Sequence, residues 1–460
     1  MMLSKDQQHV HIPIEAKSWA VEGGWKRLDD LCNGIFDCPH TTPEITISGP
    51  YVVRSQDIRT GVFILPEAGH VSNETYRERI ARAEPRFGDL LYSREGTYFG
   101  IAAEVPPGIN VCLGQRMVLI RPEPQQLNSK FLRYWLNSPV MARHIEGFRD
   151  GSVAERLNMP VIRGLPVPVF SRDVQAAIAI VLSALDDKIA LNQDMNLTLE
   201  AMARAMFKDW FVDFGPTRAK LESRHPYLAA DIWSHFPDRF DAKGMPQGWS
   251  NSMLGAHIII TKGKSYRSEE LQPSKTALVT LKSFERGGGY RRDGLKGYVG
   301  SYKAEQVVNE REIVVAQTDV TQAAEVIGRP ARVIADRRYE TLVASLDVAV
   351  VRPHEATYLG QEFLHGLMRT DSFTQHTFAH STGTTVLHLS KQALPSFEFV
   401  LPPLELIKAF EEATSTLTDR VIRNVHENDN LISLRELLLP KLMSGEMGVK
   451  DAEKLVGRAA

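Results

Sequence analysis

The chain has 460 residues and a mass of 51.5 kDa, room for about three structural units of ordinary size. Hydrophobic residues make up 43% and charged residues 24%, a globular balance that excludes wholesale disorder. With 54 Lys+Arg against 56 Asp+Glu the net charge is −2, so any nucleic-acid surface must be a local patch and not a basic coat. Cys32, Cys38 and Cys112 are too few for a disulfide framework, and an odd count suits a reducing compartment. The opening residues lack the basic-then-apolar pattern of a signal peptide, and the longest apolar run, around Ala176–Leu185, is about half of what spans a bilayer. A cytoplasmic chain without membrane contact is expected.

In chain order, residues 1–19 read as a tail. Residues 20–170 read as a β-rich domain, broken by Gly, Pro, Asn and Asp and carrying β-type runs such as Met117–Ile120. Residues 171–215 read as a long helix, free of Gly and Pro from 172 to 211 and stopped at Gly215-Pro216. A Pro-rich linker follows at 216–247. A second β-rich domain then occupies 248–400, with runs at Ala277–Thr280 and Val348–Val351, and a second long helix occupies 401–445. Pro440 is expected to end the regular part of that helix, and residues 446–460 form a tail. The recurrence is literal. A shift of 232 residues lays Leu157 on Leu389, Asp187-Lys188-Ile189 on Asp419-Arg420-Val421, and Asn192, Asn196 and Leu199 on Asn424, Asn428 and Leu431. The chain is a tandem duplication of one unit.

Both helices carry an apolar seam of period 3.5, including Ile178, Leu182, Leu185 and Ile189 in the first and Phe410, Leu417 and Val421 in the second. Two consecutive seam positions are Asn in each: Asn192 and Asn196, then Asn424 and Asn428. Antiparallel pairing lets these amides meet at the helix centres and fix the register; the plainer alternative turns them to solvent or a third element. A helix of about 38 residues is roughly 57 Å long, a useful ruler for a long regular ligand such as DNA, whose turn is about 34 Å. The expected fold class is α+β: two β-rich recognition domains in tandem pseudo-repeat, separated by two long helices pairing as an antiparallel coiled coil.

Catalytic constellations are missing. Gly263-Lys264-Ser265 has the tail of a P-loop, but Ile258 stands where its first Gly must be. No G-x-S-x-G, H-E-x-x-H or C-x-x-C occurs, and Cys32 and Cys38 read as structural thiols. His376 and His380 share a helical spacing, but the Ser381–Thr385 stretch beside them argues against a helix and so against a metal pair. Asp238 and Asp241-Ala242-Lys243 mimic a metal nuclease within a Pro-rich linker that cannot aim them. Gly287-Gly288-Gly289 resembles part of a nucleotide loop but reads better as a mobile one. No catalytic residue, metal ligand or cofactor of its own is expected for this chain.

One basic patch stands out. Between Lys262 and Lys303 lie ten Lys/Arg against four acids, interleaved with Tyr266, Phe284, Tyr290, Tyr298 and Tyr302. Cations neutralise phosphates, and Arg can pair with guanine in the major groove. The DNA-contact candidates are Lys262, Lys264, Arg267, Lys282, Arg286, Arg291 and Arg292. In the first domain, Arg54, Arg59, Arg94 and Ser152 are candidates from a segment with seven Arg against six acids over 54–94. A solvated basic face is the competing reading for each cluster.

This organisation resembles the specificity subunits of type I restriction–modification systems. The most specific elements are Gly88-Asp-Leu-Leu-Tyr-Ser-Arg-Glu-Gly-Thr97, Phe207-Lys-Asp-Trp-Phe-Val-Asp-Phe-Gly215, Phe236-Pro-Asp-Arg-Phe240 ahead of Gly248-Trp249, and Leu439-Pro-Lys-Leu-Met-Ser-Gly-Glu446. Pro402-Pro403 before the second helix also fits, whereas the first copy reads Phe170-Ser171-Arg172 there. The resemblance implies two target-recognition domains, each reading half of a split site on double-stranded DNA. It implies helices that dock two modification subunits, which hold S-adenosylmethionine and flip and methylate an adenine. Restriction subunits would bring ATP, Mg²⁺ and cleavage. The chain itself would be non-catalytic. A protein-only scaffold with two binding heads is the alternative from another class, and a metal nuclease built on Asp238 the remotest.

Overall fold

The computed structural model describes residues 10–148, 156–321 and 323–459. The chain forms two compact units, one holding residues up to Asn192 together with those from Glu427 onward, the other holding Gln193–His426. Both long helices therefore contribute to both units. They span Arg172–Phe207 and Leu404–Ser444, 36 and 41 residues. Among the described residues no helix is long and apolar enough to cross a membrane.

The first unit is built on a four-stranded antiparallel sheet in the order Cys32–Asp37, Met117–Pro122, Leu90–Ser93, Ala102–Glu104. A smaller sheet pairs Thr46–Val53 with Gly69–His70 and, in parallel, with Val111–Leu113. Leu90–Ser93 and Met117–Ile120 are buried throughout, which is why they read as continuous apolar runs without alternation. One face of the larger sheet packs on helices Ser129–Leu136 and Pro139–Glu146, capped by Asn128 and Ser138, whose side chains accept from Phe131 N and Met141 N. Trp135 lies at the centre, fully buried, its indole N–H donating to Pro166 O at 2.6 Å.

The second unit repeats the plan. Its four-stranded antiparallel sheet runs Ile258–Lys262, Val348–Pro353, Ile313–Ala316, Pro330–Arg332. A second sheet again contains a parallel pair, Thr276–Val279 with Thr341–Ala344. Helices Gln361–Met368 and Asp371–Ala379 take the place of the helix pair in the first copy. The duplication read from the offset thus holds at the level of strand order.

Within each unit the two long helices run antiparallel. In the first, Ile178, Leu182, Leu185 and Ile189 join Leu431, Leu438 and Leu442 in one core. Asp186 there accepts from Arg435 at 2.7 Å and from Tyr134 at 2.6 Å. In the second, Phe207, Trp210, Phe211, Phe363 and Phe410 pack with ring centroids 5.1–5.9 Å apart, a spacing that favours edge and tilted contacts. Asn192 Nδ2 donates to Asn428 Oδ1 at 2.9 Å in the first unit, and Asn424 Nδ2 donates to Asn196 Oδ1 at 2.8 Å in the second. Asn192, Asn424 and Asn428 are buried, at 1%, 0% and 7% exposure.

Four local expectations change. The second long helix does not end before Pro440 but carries it internally as far as Ser444. Burial of Leu438, Leu439, Leu442 and Met443 offsets the lost N–H donor. The first helix gives way at Lys208–Val212 to a π-turn, and Phe214 then takes a left-handed conformation that starts a short helix, Gly215–Leu221, with Pro216 in its first turn. The stretch read as linker carries that helix and another at Ala230–His235, and lends Phe236 to the aromatic core. His376 does lie on a helix, capped at its start by Thr370; His380 closes it and the following strand begins at Ser381.

The buried amide pairs make a direct prediction. Asn192→Leu leaves the Asn428 amide buried without that partner, and is expected to cost about 1–3 kcal/mol. Adding Asn428→Leu is expected to recover most of the loss, a coupling readable in a double-mutant cycle by urea unfolding.

Candidate nucleic-acid interface

In the second unit, most of the predicted basic residues gather at one end of the parallel pair Thr276–Val279 and Thr341–Ala344. Lys264 N donates to Ala344 O at 2.7 Å, and Lys264 bridges Ser345. Ser345 N donates to Val279 O at 3.0 Å, and the turn that follows, Leu281–Ser283, carries Lys282 and is capped by Thr280. Arg291 N donates to Ser283 O at 2.9 Å, which folds the Phe284–Tyr290 hairpin and the Arg292–Gly294 turn onto the same end. Gly263 is required here, because a Cβ would meet Ser345 O at 2.0 Å. Lys262 ends the adjoining strand beside this turn. Arg267 stands apart, opening the turn Ser268–Glu270, where its backbone N–H donates to Glu270 at 2.7 Å.

Charge pairing separates these cations. Arg286 meets Glu325 at 3.2 Å and Arg291 meets Asp293 at 3.0 Å; that bond holds the Asp293 carboxyl below its usual range. Arg292 donates to Ala335 O at 3.4 Å. Lys262, Lys264, Lys282 and the Arg267 guanidinium make no ion pair among the described residues. Exposed unpaired ammonium groups are the ones free to replace counterions on a phosphate backbone.

The first unit places its candidates differently. Arg54 forks onto Asp57 through two 3.1 Å bonds, and Arg59 onto Glu67 at 2.7 and 3.0 Å. Arg94 is buried and donates to Asp37 at 2.8 Å. These three brace loops. Ser152 lies outside the described residues. Arg77, Arg82 and Arg86 are instead exposed and without an ion pair among the described residues, beside Phe87 at 68% exposure. A count of charges along the sequence does not distinguish them from their paired neighbours. Asp37, Cys38 and His40 bring potential ligand atoms within 4.8 Å of one another. Arg94 already holds Asp37, and burial pushes the Cys38 thiol up; burial beside Asp29 takes Cys32 to about 12. Thiols held protonated in this way are poor metal ligands.

One residue not singled out from sequence braces the interface. Asp319 is fully buried and accepts from Thr321 N, Thr321 Oγ1 and Val326 N, each at 2.7 Å, and from Ile327 N at 3.1 Å. Its loop holds Glu325, which pairs with Arg286 and whose carbonyl accepts from Gly287 N at 2.9 Å.

Residues 67–201 match the family described as the type I restriction modification DNA specificity domain. The chain is 22% identical over 414 residues to the type I restriction enzyme HindI specificity subunit of Haemophilus influenzae, covering 78% of this chain and 86% of that one. It is 24% identical over 421 residues to the MjaIX specificity subunit of Methanocaldococcus jannaschii, covering 90% and 88%. The crystal structure of the S subunit of a type I restriction–modification system from M. genitalium shares the fold, with a TM-score of 0.51 at 15% identity over 91% of this chain and 95% of that one. Each of these proteins is a specificity subunit of a type I restriction system by name. Over most of its length the chain is similar to type I restriction–modification specificity subunits, and the match at residues 67–201 is to their DNA specificity domain.

Burial pushes the Asp319 carboxyl up, but its four donors outweigh this and hold it below the usual carboxylate range. Its contribution to stability is therefore present above the unfolded value near ~4 and is lost as pH falls through the lower folded value. Asp319→Asn is expected to cost about 2 kcal/mol at neutral pH and to make the acid limb of the stability curve shallower. A parallel pair of curves from urea unfolding at stepped pH would count against this role.

Proposed function

We propose that this chain is the sequence-reading subunit of a type I restriction–modification complex. The domain at 20–170 reads one half of a split target on double-stranded DNA, and the domain at 248–400 reads the other. The helices at 171–215 and 401–445 set the spacing between half-sites and dock two modification subunits, while restriction subunits join the same assembly. S-adenosylmethionine, ATP and Mg²⁺ belong to those partners; this chain chooses where their chemistry takes place.

The observation that carries this reading is the gathering of Lys262, Lys264 and Lys282, all free of ion pairs among the described residues, at one end of a rigid parallel strand pair. The neighbouring turn presents Arg291 and Arg292 to the same region. Lysines that touch phosphate supply affinity without sequence information, whereas an Arg in a groove can add base readout. The strands behind them, buried from their second residue on, supply a scaffold that holds the loops in place.

Lys264→Ala with Lys282→Ala is expected to weaken DNA binding for all sequences alike. The slope of log affinity against log salt should become shallower by about 2, close to 0.9 per lost phosphate contact. Arg291→Ala with Arg292→Ala is expected to weaken binding and relax preference within one half-site only. Fluorescence anisotropy with the complex assembled on duplex DNA measures both. Unchanged affinity and slope in the lysine pair would move the contact surface elsewhere.

A further inference from the structure

The second unit contains a cavity of about 370 Å³ that DNA reading does not use. It lies between the second half of the first long helix, the first half of the second, the helix Gln361–Met368 and the hairpin residues Gly289 and Tyr290. Leu199, Ala203, Phe207, Phe410, Leu417 and Val421 give it an apolar wall. Glu200, Arg204 and Lys208 are exposed and form a rim, whereas Phe207, Glu362 and Phe410 are buried and form the floor. The size suits a small organic molecule.

Polar groups in this cavity are unequally satisfied. Glu362 is saturated, accepting from Arg332 at 2.6 Å, Thr418 at 2.8 Å and Arg311 at 3.1 Å. Arg369 has one bond, to the exposed Glu200 at 3.3 Å. The side chains of Arg204 and His365 make no hydrogen bond or ion pair among the described residues. Tyr290 carries a buried hydroxyl with no hydrogen-bond partner. Burial, with Arg332, Arg369 and Arg204 close by, keeps the His365 imidazole well below its usual range and therefore neutral, able to donate from one nitrogen and accept at the other. Burial, and then the nearby Arg204, disfavour the charge on Arg369. An exposed Arg204, an Arg369 held only by one exposed carboxylate and a neutral His365 imidazole, beside an aliphatic wall, suit an anion with an apolar body.

We propose that this cavity binds a small organic anion, a carboxylate or phosphate group borne on a planar apolar ring. The anionic oxygens are held by Arg204 and Arg369 with His365, and the ring lies against Leu199, Ala203 and Phe410. The inference is independent of the DNA reading, because none of these residues is among the DNA-contact candidates. Gly289 and Tyr290 connect the two sites physically: they precede Arg291 and Arg292 on one hairpin.

Isothermal titration of the full-length chain with phenyl phosphate, benzoate and inorganic phosphate tests this directly. Saturable binding of phenyl phosphate or benzoate, one per chain and at least about tenfold tighter than inorganic phosphate, is expected, and the preferred probe identifies the head group. Arg204→Glu changes an exposed side chain, so its thermal midpoint should match the parent while its affinity falls about tenfold or more, the loss of one charge-assisted bond. Lys264→Ala with Lys282→Ala should leave this binding intact. Absence of saturable binding by either ring-bearing anion overturns the proposal. So does affinity equal to that for inorganic phosphate, or unchanged affinity in Arg204→Glu.

Discussion

The antiparallel pairing of the two long helices is the constraint on which both units depend, and in each an Asn–Asn hydrogen bond lies in the seam. An amide buried in an aliphatic seam is costly unless another polar group meets it. Only one antiparallel alignment joins Asn192 to Asn428 and Asn196 to Asn424; a slip by one seam position keeps a single Asn pair and sets the other two amides against Leu, Ile or Val. Each unit contains half of each helix, so each domain core is completed by side chains whose position that alignment decides. Leu438 and Leu442 reach the first core from the far end of the chain, and Phe207 reaches the second from the middle. A polar pair that weakens a coiled coil can in this way specify it.

Duplication explains how one chain repeats this arrangement. The offset of the two copies takes Asn192 to Asn424 and Asn196 to Asn428, so each hydrogen bond joins one Asn to the counterpart of the other. The same repetition shows in the sheets, where each copy pairs its first strand with a late one and places a parallel pair in a second sheet. Repetition of the frame leaves the loops free to differ. The first copy uses Arg94 to brace Asp37, whereas the second places Asp319 in its own loop, held by four donors.

How much could be read beforehand follows from which interactions are local. The helices, their seam and the Asn positions were legible because a period of 3.5 and an offset are properties of sequence alone. The strands Leu90–Ser93 and Val348–Val351 were legible as apolar runs, but their order in the sheet was not, since pairing is decided by contacts far apart in the chain. Pro440 was misjudged because the breaker rule carries no knowledge of the burial that compensates it. The basic patch was visible as composition, but the distinction between Lys282, which is unpaired, and Arg54, which is committed to Asp57, appears only once acids are placed in space. The cavity at Arg204 and His365 gave no sequence signal, because its walls come from five separate segments.

The central claim is that this chain decides where a methyltransferase complex acts. A map of methylated adenines across host DNA, made with and without the gene and with the modification partner expressed, tests it most directly. Methylation at one split, asymmetric motif should vanish when the gene is removed, and the motif would give both half-sites at once. A methylation map unaltered by its removal would contradict the account.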